Sequence, residues 1–160
     1  MPYPQENTIL EITTPFGPDA LLLLSFQAHE QLSGLFRFDL EMVSEDPVLD
    51  FKAILGQGVT VGIKRANFVP PRLFHGIVGR FVQTRRAGSL TYYRAEVYPW
   101  LWLLGKTTDC RIFQKKSTPE IIKEVFDELG FADYEQDLQG TYEPREYCVQ
   151  YNETALAFVS

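Results

Sequence analysis

The chain has 160 residues, 45% of them hydrophobic and 14% aromatic, which excludes disorder and provides for one substantial core or two small ones. Its 15 basic residues are scattered among 21 acidic ones, giving a formal net charge of −6, so we expect no nucleic-acid partner. Cys110 and Cys148 are expected to be free thiols, with a disulfide as the alternative. No secretion signal is evident, which predicts synthesis in the cytoplasm.

The first 64 residues contain four predicted strands and one short helix. The residues Phe36, Phe38, Leu40 and Met42 fall on one face of a strand, in the period-2 pattern of a half-buried element. The predicted strands are residues 8–13, 20–30 (a continuous apolar run, interpreted as buried), 35–43 and 58–64. Residues 49–56 have helical spacing, with Gly56 as the stop.

Two long runs then predict a hairpin: residues 72–86 and residues 90–104, joined by a short turn. Gly76 and Gly79 are natural places for a bulge or a close backbone approach. Six strands with one short helix favour a small barrel or sandwich over a parallel α/β sheet. We therefore predict a mainly β first domain over residues 1–104.

Residues 105–160 differ in pattern and predict a second domain with α+β character. A helix follows Ser117, either with Thr118 as the cap or with a capping box from Ser117 to Glu120, and Gly130 ends it. Residues 145–151 form a predicted strand. Asn152 is predicted to cap a second helix that begins just before the sequence stops, so we expect a fragment of a longer protein.

No residue pattern points to a catalytic, cofactor or metal site. His75 is predicted to be a hydrogen-bonded core histidine on a face with Leu73, Ile77 and Phe81, whereas His29 is expected to be solvated. Neither histidine has partners at metal-ligand spacing. No spacing singles out a carboxylate pair among the acidic residues considered for catalysis, and Cys148 has no nearby base. These acidic residues are Glu41, Glu45, Asp46, Glu124, Asp127 and Glu128.

Several collinear stretches together resemble one family. They include "LSGLFRFDLEMVSED", "LDFKAILGQGVTV", "FHGIV", "PWLWLL", "RIFQ", "PEII" and "REYCVQY". These stretches resemble the N-terminal part of the VgrG (valine-glycine repeat protein G) family, the spike proteins of the type VI secretion system. The phage tail hub and late-control proteins are related to that family.

The resemblance implies a non-enzymatic structural protein without a cofactor or small-molecule substrate. It implies a homotrimeric hub with two hub-type β-barrels per subunit, adapted to the hexameric (Hcp-like) ring of an inner tube. It further implies effector partners, a C-terminal needle outside this sequence, and export by the type VI apparatus without a signal peptide. The family usually continues with further strands beyond "FVS", so the second barrel is expected to be incomplete here.

The uncharged run "YPWLWLL", residues 98–104, lies where the last strand of the first barrel is expected to pass into the second domain. The run is either core filling or a contact between protomers. The expected contact surfaces are barrel edges and the loops at residues 67–72 and 83–89, and the sequence does not assign a particular partner to any of them. Two rival functions remain: a monomeric barrel that holds a small ligand, and a cell-wall hydrolase.

Overall fold

The structure is a computed structural model, and it describes residue 5 and residues 8–64, 70–131 and 134–160. The chain divides into two compact units, Met1–Trp100 and Leu101–Ser160. None of the described helices has the length and apolar character needed to cross a membrane.

The first unit is a six-stranded antiparallel sheet that curls into a nearly closed barrel. Its strands are β1 (Leu10–Thr13), β2 (Leu22–His29), β3 (Arg37–Ser44), β4 (Gly58–Ile63), β5 (Arg72–Ala87) and β6 (Leu90–Tyr98). They lie in the order β1-β4-β5-β6-β3-β2, so β1 and β2 are the two edge strands. A 3₁₀ helix at Phe51–Ala53 precedes β4.

Strict alternation builds the core of this barrel. On β3, Phe38, Leu40 and Met42 are almost fully buried, which confirms the predicted period-2 face. On β6, Tyr93 stacks on Phe81 with ring centroids 5.2 Å apart. Buried side chains from all six strands fill the interior, and this filling argues against a barrel that holds a ligand inside.

The long strand β5 changes phase part of the way along. Its register shifts between Val78 and Arg80, so Gly79 lies in a bulge, as the sequence predicted. Gly76 lies where a Cβ would stand 2.7 Å from the Tyr98 carbonyl oxygen, so the predicted close backbone approach is also confirmed. Before the bulge Phe74 and Val78 face the core, and after it Phe81 does.

Three predictions in the first unit were wrong in detail. The helix at residues 49–56 is only the 3₁₀ turn, with Ile54 buried beside it. The strand at 90–104 ends at Tyr98, because Pro99 lacks the N–H that a ladder needs, and a 3₁₀ helix occupies Trp100–Lys106. The strand at 20–30 is partly exposed, since a register irregularity between Leu23 and Ser25 leaves Leu24 51% exposed.

The second unit is a two-stranded antiparallel sheet with two helices. Its elements are β7 (Thr108–Lys116), α1 (Thr118–Glu128), β8 (Arg145–Thr154) and α2 (Ala155–Val159). The sequence pattern gave no prediction for β7. The capping-box register is the one adopted: the Ser117 backbone N–H and hydroxyl both donate to Glu120 Oε2, at 2.7 Å. Gly130, with φ +77°, follows the helix as predicted.

Asn152 does not cap the last helix, contrary to the prediction. Asn152 lies in a bulge of β8 with φ +49°, a conformation that asparagine tolerates better than most residues. Thr154 is the cap instead, because its Oγ1 accepts a hydrogen bond from the Ala157 N–H at 3.1 Å.

We expect the substitution Gly76→Ala to destabilise the first unit by about 1–3 kcal/mol, because the new methyl group collides with backbone at Tyr98. Chemical denaturation checks this. Gly140→Ala is the matched control, since a Cβ there meets nothing within 4 Å. Equal stability of the two variants would contradict the close approach at Gly76.

Candidate interaction surface

The structure places both histidines on the outside of the barrel. His75 is exposed, and its Nδ1 lies 2.9 Å from Thr60 Oγ1, so the predicted core position is wrong. The bulge at Gly79 explains the error, because Leu73 and His75 precede it and face outward while Phe81 follows it and faces inward. His29 is exposed as predicted, with Nε2 3.4 Å from Asp39 Oδ2.

The other residues considered for chemistry do not converge. Glu41 is paired with Arg94, and Glu124, Asp127 and Glu128 are each paired with a different cation, Lys116, Lys123 and Arg111. Both cysteines are free. Among the described residues, no group of three or more His, Cys, Asp or Glu side chains could hold a metal.

Three ion pairs cross the outer face of the barrel. Arg94 Nη2 lies 2.5 Å from Glu41 Oε1, Arg80 Nη1 lies 2.9 Å from Glu96 Oε1, and Arg37 Nη2 lies 2.9 Å from Asp39 Oδ2. These pairs line or border a shallow outer concavity of about 470 Å³ between β2, β3, β5 and β6. Since each charge already has a partner, this face is polar but internally neutralised.

Glu96 is the centre of that network. It accepts a hydrogen bond from the Tyr98 hydroxyl at 2.7 Å as well as from Arg80. Burial and the bond to Glu96 raise the pKa of Tyr98 to about 12. The bond from Tyr98, together with Arg80, lowers the pKa of Glu96.

The two edge strands of the barrel differ in whether a side chain covers their free backbone groups. The side chain of Gln5 pairs with Ile12 on β1: its Oε1 accepts from the backbone N–H at 2.7 Å, and its Nε2 donates to the carbonyl at 3.3 Å. The side-chain amide thus replaces a neighbouring strand. The edge strand β2 has no charged residue between Leu22 and Ala28. A groove of about 260 Å³, lined by leucines of both edge strands, separates β1 from β2.

One face of the second unit's sheet is apolar and exposed. Ile112, Tyr147 and Tyr151 are 68%, 68% and 77% exposed, and Val149 beside them is 44% exposed. The opposite face is covered: Phe113 stacks on Phe158 of α2 at 5.6 Å, and Arg111 bonds to Gln150 and Glu128. We call the four exposed residues the open face. Exposed apolar patches of this kind mark interaction sites.

Sequence reasoning missed the open face for a definable reason. The alternation of Tyr147, Val149 and Tyr151 was visible in the sequence, but alternation cannot say which side of a strand the helices cover. In the run at 98–104, Leu104 is fully buried and the residues from Tyr98 to Leu103 are partly exposed. The alternatives of core and contact therefore both stay predictions for that run.

The predicted contact loops are only partly described. Residues 65–69 lie outside the described residues, so most of the loop at 67–72 is not placed. Residues 83–89 form the end of the hairpin of β5 and β6, with Gly88 at φ +61° in the turn.

Known proteins with similar sequences or structures point to one family. A model of the phage tail baseplate hub (GPD) family matches residues 29–160. Two type VI secretion system spike proteins of Pseudomonas aeruginosa are similar: VgrG1c, 42% identical over 160 residues (100% of this chain, 22% of the relative), and VgrG1a, 44% identical over 156 residues (98% and 24%). The chain therefore spans less than a quarter of the length of these relatives.

A solved structure shows the same fold. It is the E. coli c3393 protein, described as a component of the type VI secretion system with structural similarity to the T4 bacteriophage tail proteins gp27 and gp5. The match has a TM-score of 0.71 at 24% identity, and covers 94% of this chain and 41% of that chain.

We expect Glu96→Gln to lower the pKa of Tyr98 from about 12 toward its ordinary value of 10.0, because the negative charge beside the hydroxyl is removed and a neutral amide oxygen is a weaker acceptor than a carboxylate. The raised pKa means that the stability Tyr98 contributes is complete below pH 10.0 and is lost as the pH rises to about 12. Nuclear magnetic resonance titration of labelled tyrosine, assigned with Tyr98→Phe, measures the shift. Glu41→Gln, which breaks the ion pair with Arg94, is the control and should leave the pKa of Tyr98 unchanged.

We expect Ile112→Ser combined with Tyr151→Ser to reduce the binding of an apolar fluorescent dye, with a change in stability of only about 0.5 kcal/mol per site, because both side chains are exposed. Dye fluorescence and thermal unfolding check this. The same change at a buried position, Val125→Ser, is the contrast and should increase dye binding by loosening the packing of α1. Unchanged dye binding in the double variant would mean that the open face is not an accessible apolar surface.

Proposed function

Because the chain belongs to the phage tail baseplate hub family, we propose that it is a structural part of the hub of a type VI secretion spike. The observation that carries this proposal is the family match, which covers both units from residue 29 to residue 160. The organisation of the described surfaces supports it. Four of the six acidic side chains considered for catalysis, those of Glu41, Glu124, Asp127 and Glu128, are paired with separate basic side chains, and the exposed features of the described residues are surfaces rather than a pocket with converging chemistry.

In this proposal the protein acts mechanically and has no enzymatic role. Three copies form a hub, cap the hexameric (Hcp-like) inner tube and are driven out with it, together with effectors and a C-terminal needle. The protein is made in the bacterial cytoplasm and leaves through the type VI apparatus without a signal peptide. A filled barrel suits such a role, because close-packed interiors resist deformation and transmit force.

We further propose that residues 1–104 form the first hub-like barrel and residues 105–160 the start of a second hub-like domain. The asymmetry of the second unit supports this division. A two-stranded sheet covered on one face only is marginal by itself, and burial of the open face against further polypeptide would complete it. The open face is then an internal surface of the assembled hub.

The test is the mass of the full-length protein by light scattering, alone and with the ring protein of the inner tube. We expect the mass of three protomers, and a larger complex when the ring is added. A persistent monomer that ignores the ring would refute the hub proposal. Such a monomer would also make the edges of the barrel the first sites to test for a different partner.

A further inference from the structure

The hairpin of β5 and β6 ends in two arginines that have no acidic partner among the described residues. Eight other cationic side chains of the described chain, such as Arg80 and Arg94, form ion pairs with carboxylates. Arg85 and Arg86 form none with any described residue, and both are exposed. No acidic residue occurs between positions 51 and 95 of the sequence, so the acidic residue of the hairpin is Glu96, near the end of β6 that lies away from the turn. We call Arg85 and Arg86 the basic tip.

Both guanidinium groups are held in place by neutral contacts. The Arg85 guanidinium carbon lies 3.9 Å from the centre of the Tyr92 ring, and Arg86 Nη2 donates a hydrogen bond to the Pro47 carbonyl at 2.7 Å. Stacking uses the face of a guanidinium and leaves its N–H donors free, and Arg86 uses only one donor. The guanidinium groups of the basic tip are therefore ordered before a carboxylate binds, which lowers the entropic cost of that binding.

A matching acidic segment lies in the second unit. The connection from α1 to β8 contains no Lys or Arg from Phe131 to Pro144. Three of its acidic residues, Glu135, Asp137 and Glu143, are described and exposed, and none forms an ion pair with a described residue. The segment is anchored at its start, where the rings of Phe126 and Tyr134 meet edge to face at 5.0 Å. We call residues 134–144 the acidic connection.

We propose that the basic tip of one copy docks on the acidic connection of a second copy of this chain. Neither patch has an ion-pair partner among the described residues, so the charges of both remain available. The two patches differ and lie on different units, so the contact joins unlike surfaces. Contacts of that type generate a closed ring when the rotation closes, which is what a trimeric hub requires. Docking on nucleic acid is disfavoured, because two arginines on a chain of net charge −6 neutralise few phosphates.

This inference rests on the proposed self-assembly and names one contact within it. The test is a charge exchange in the full-length protein, followed by sedimentation velocity over a range of concentrations at low and high salt. Arg85→Glu with Arg86→Glu reverses the basic tip, and Glu135→Arg with Asp137→Arg reverses the acidic connection. Lys52→Glu with Lys115→Glu is the control for the basic tip, because it changes the net charge by the same amount as that reversal, at exposed sites elsewhere.

We expect each reversal alone to raise the dissociation constant of the assembly about tenfold or more at low salt, and the combination to restore it. The control variant should leave the dissociation constant nearly unchanged, and thermal unfolding should show that all variants are folded. Additive weakening without restoration, or an assembly indifferent to both reversals, would overturn the proposed contact and leave the hub proposal standing. A wild-type protein that stays monomeric would instead overturn the hub proposal itself.

Discussion

The bend of β5 is the constraint on which the first unit depends. This strand is hydrogen-bonded to β4 on one side and to β6 on the other, so its curvature is passed to the whole sheet. A straight strand would turn either Phe74 or Phe81 outward, because the two positions differ by an odd number of residues. The bulge at Gly79 absorbs one residue and brings both rings into the core. Gly76 provides the space for the backbone at Tyr98 to approach.

The same bend explains where prediction from the sequence succeeded and failed. Period-2 alternation was sufficient to predict the buried face of β3, because no irregularity interrupts its ladder with β6. It failed for His75, because the phase of a strand can be followed only up to its next bulge. Pro99 shows a different limit: an apolar run continued past the proline in sequence, but the strand could not continue past a residue without an N–H. The sequence pattern predicts a helix cap at Asn152, but asparagine is favoured both as a helix cap and at positions with a positive φ such as this bulge.

The interaction surface was harder to predict than the fold. An ion pair across strands, such as Glu41 with Arg94, depends on which residues face each other in the register, and single-strand patterns do not contain that information. The open face depends on which side of the sheet the helices cover. The basic tip was identified in the sequence only as part of a loop at 83–89. The structure adds that Arg85 and Arg86 form no ion pair with a described carboxylate and that both guanidinium groups are held by neutral contacts.

Among the described residues, surfaces whose charges and backbone groups already have partners can thus be distinguished from surfaces whose groups can still bind another chain. The outer face of the barrel carries many charges, but their mutual pairing means that a partner gains little Coulomb energy there. The β1 edge is likewise satisfied, because Gln5 replaces a neighbouring strand. The open face can contribute affinity, since the burial of apolar area is the main driving force of association, whereas the basic tip can contribute orientation and rate. The proposed hub, in which copies join in one fixed arrangement, needs both kinds of surface, because apolar area alone does not specify the angle between copies.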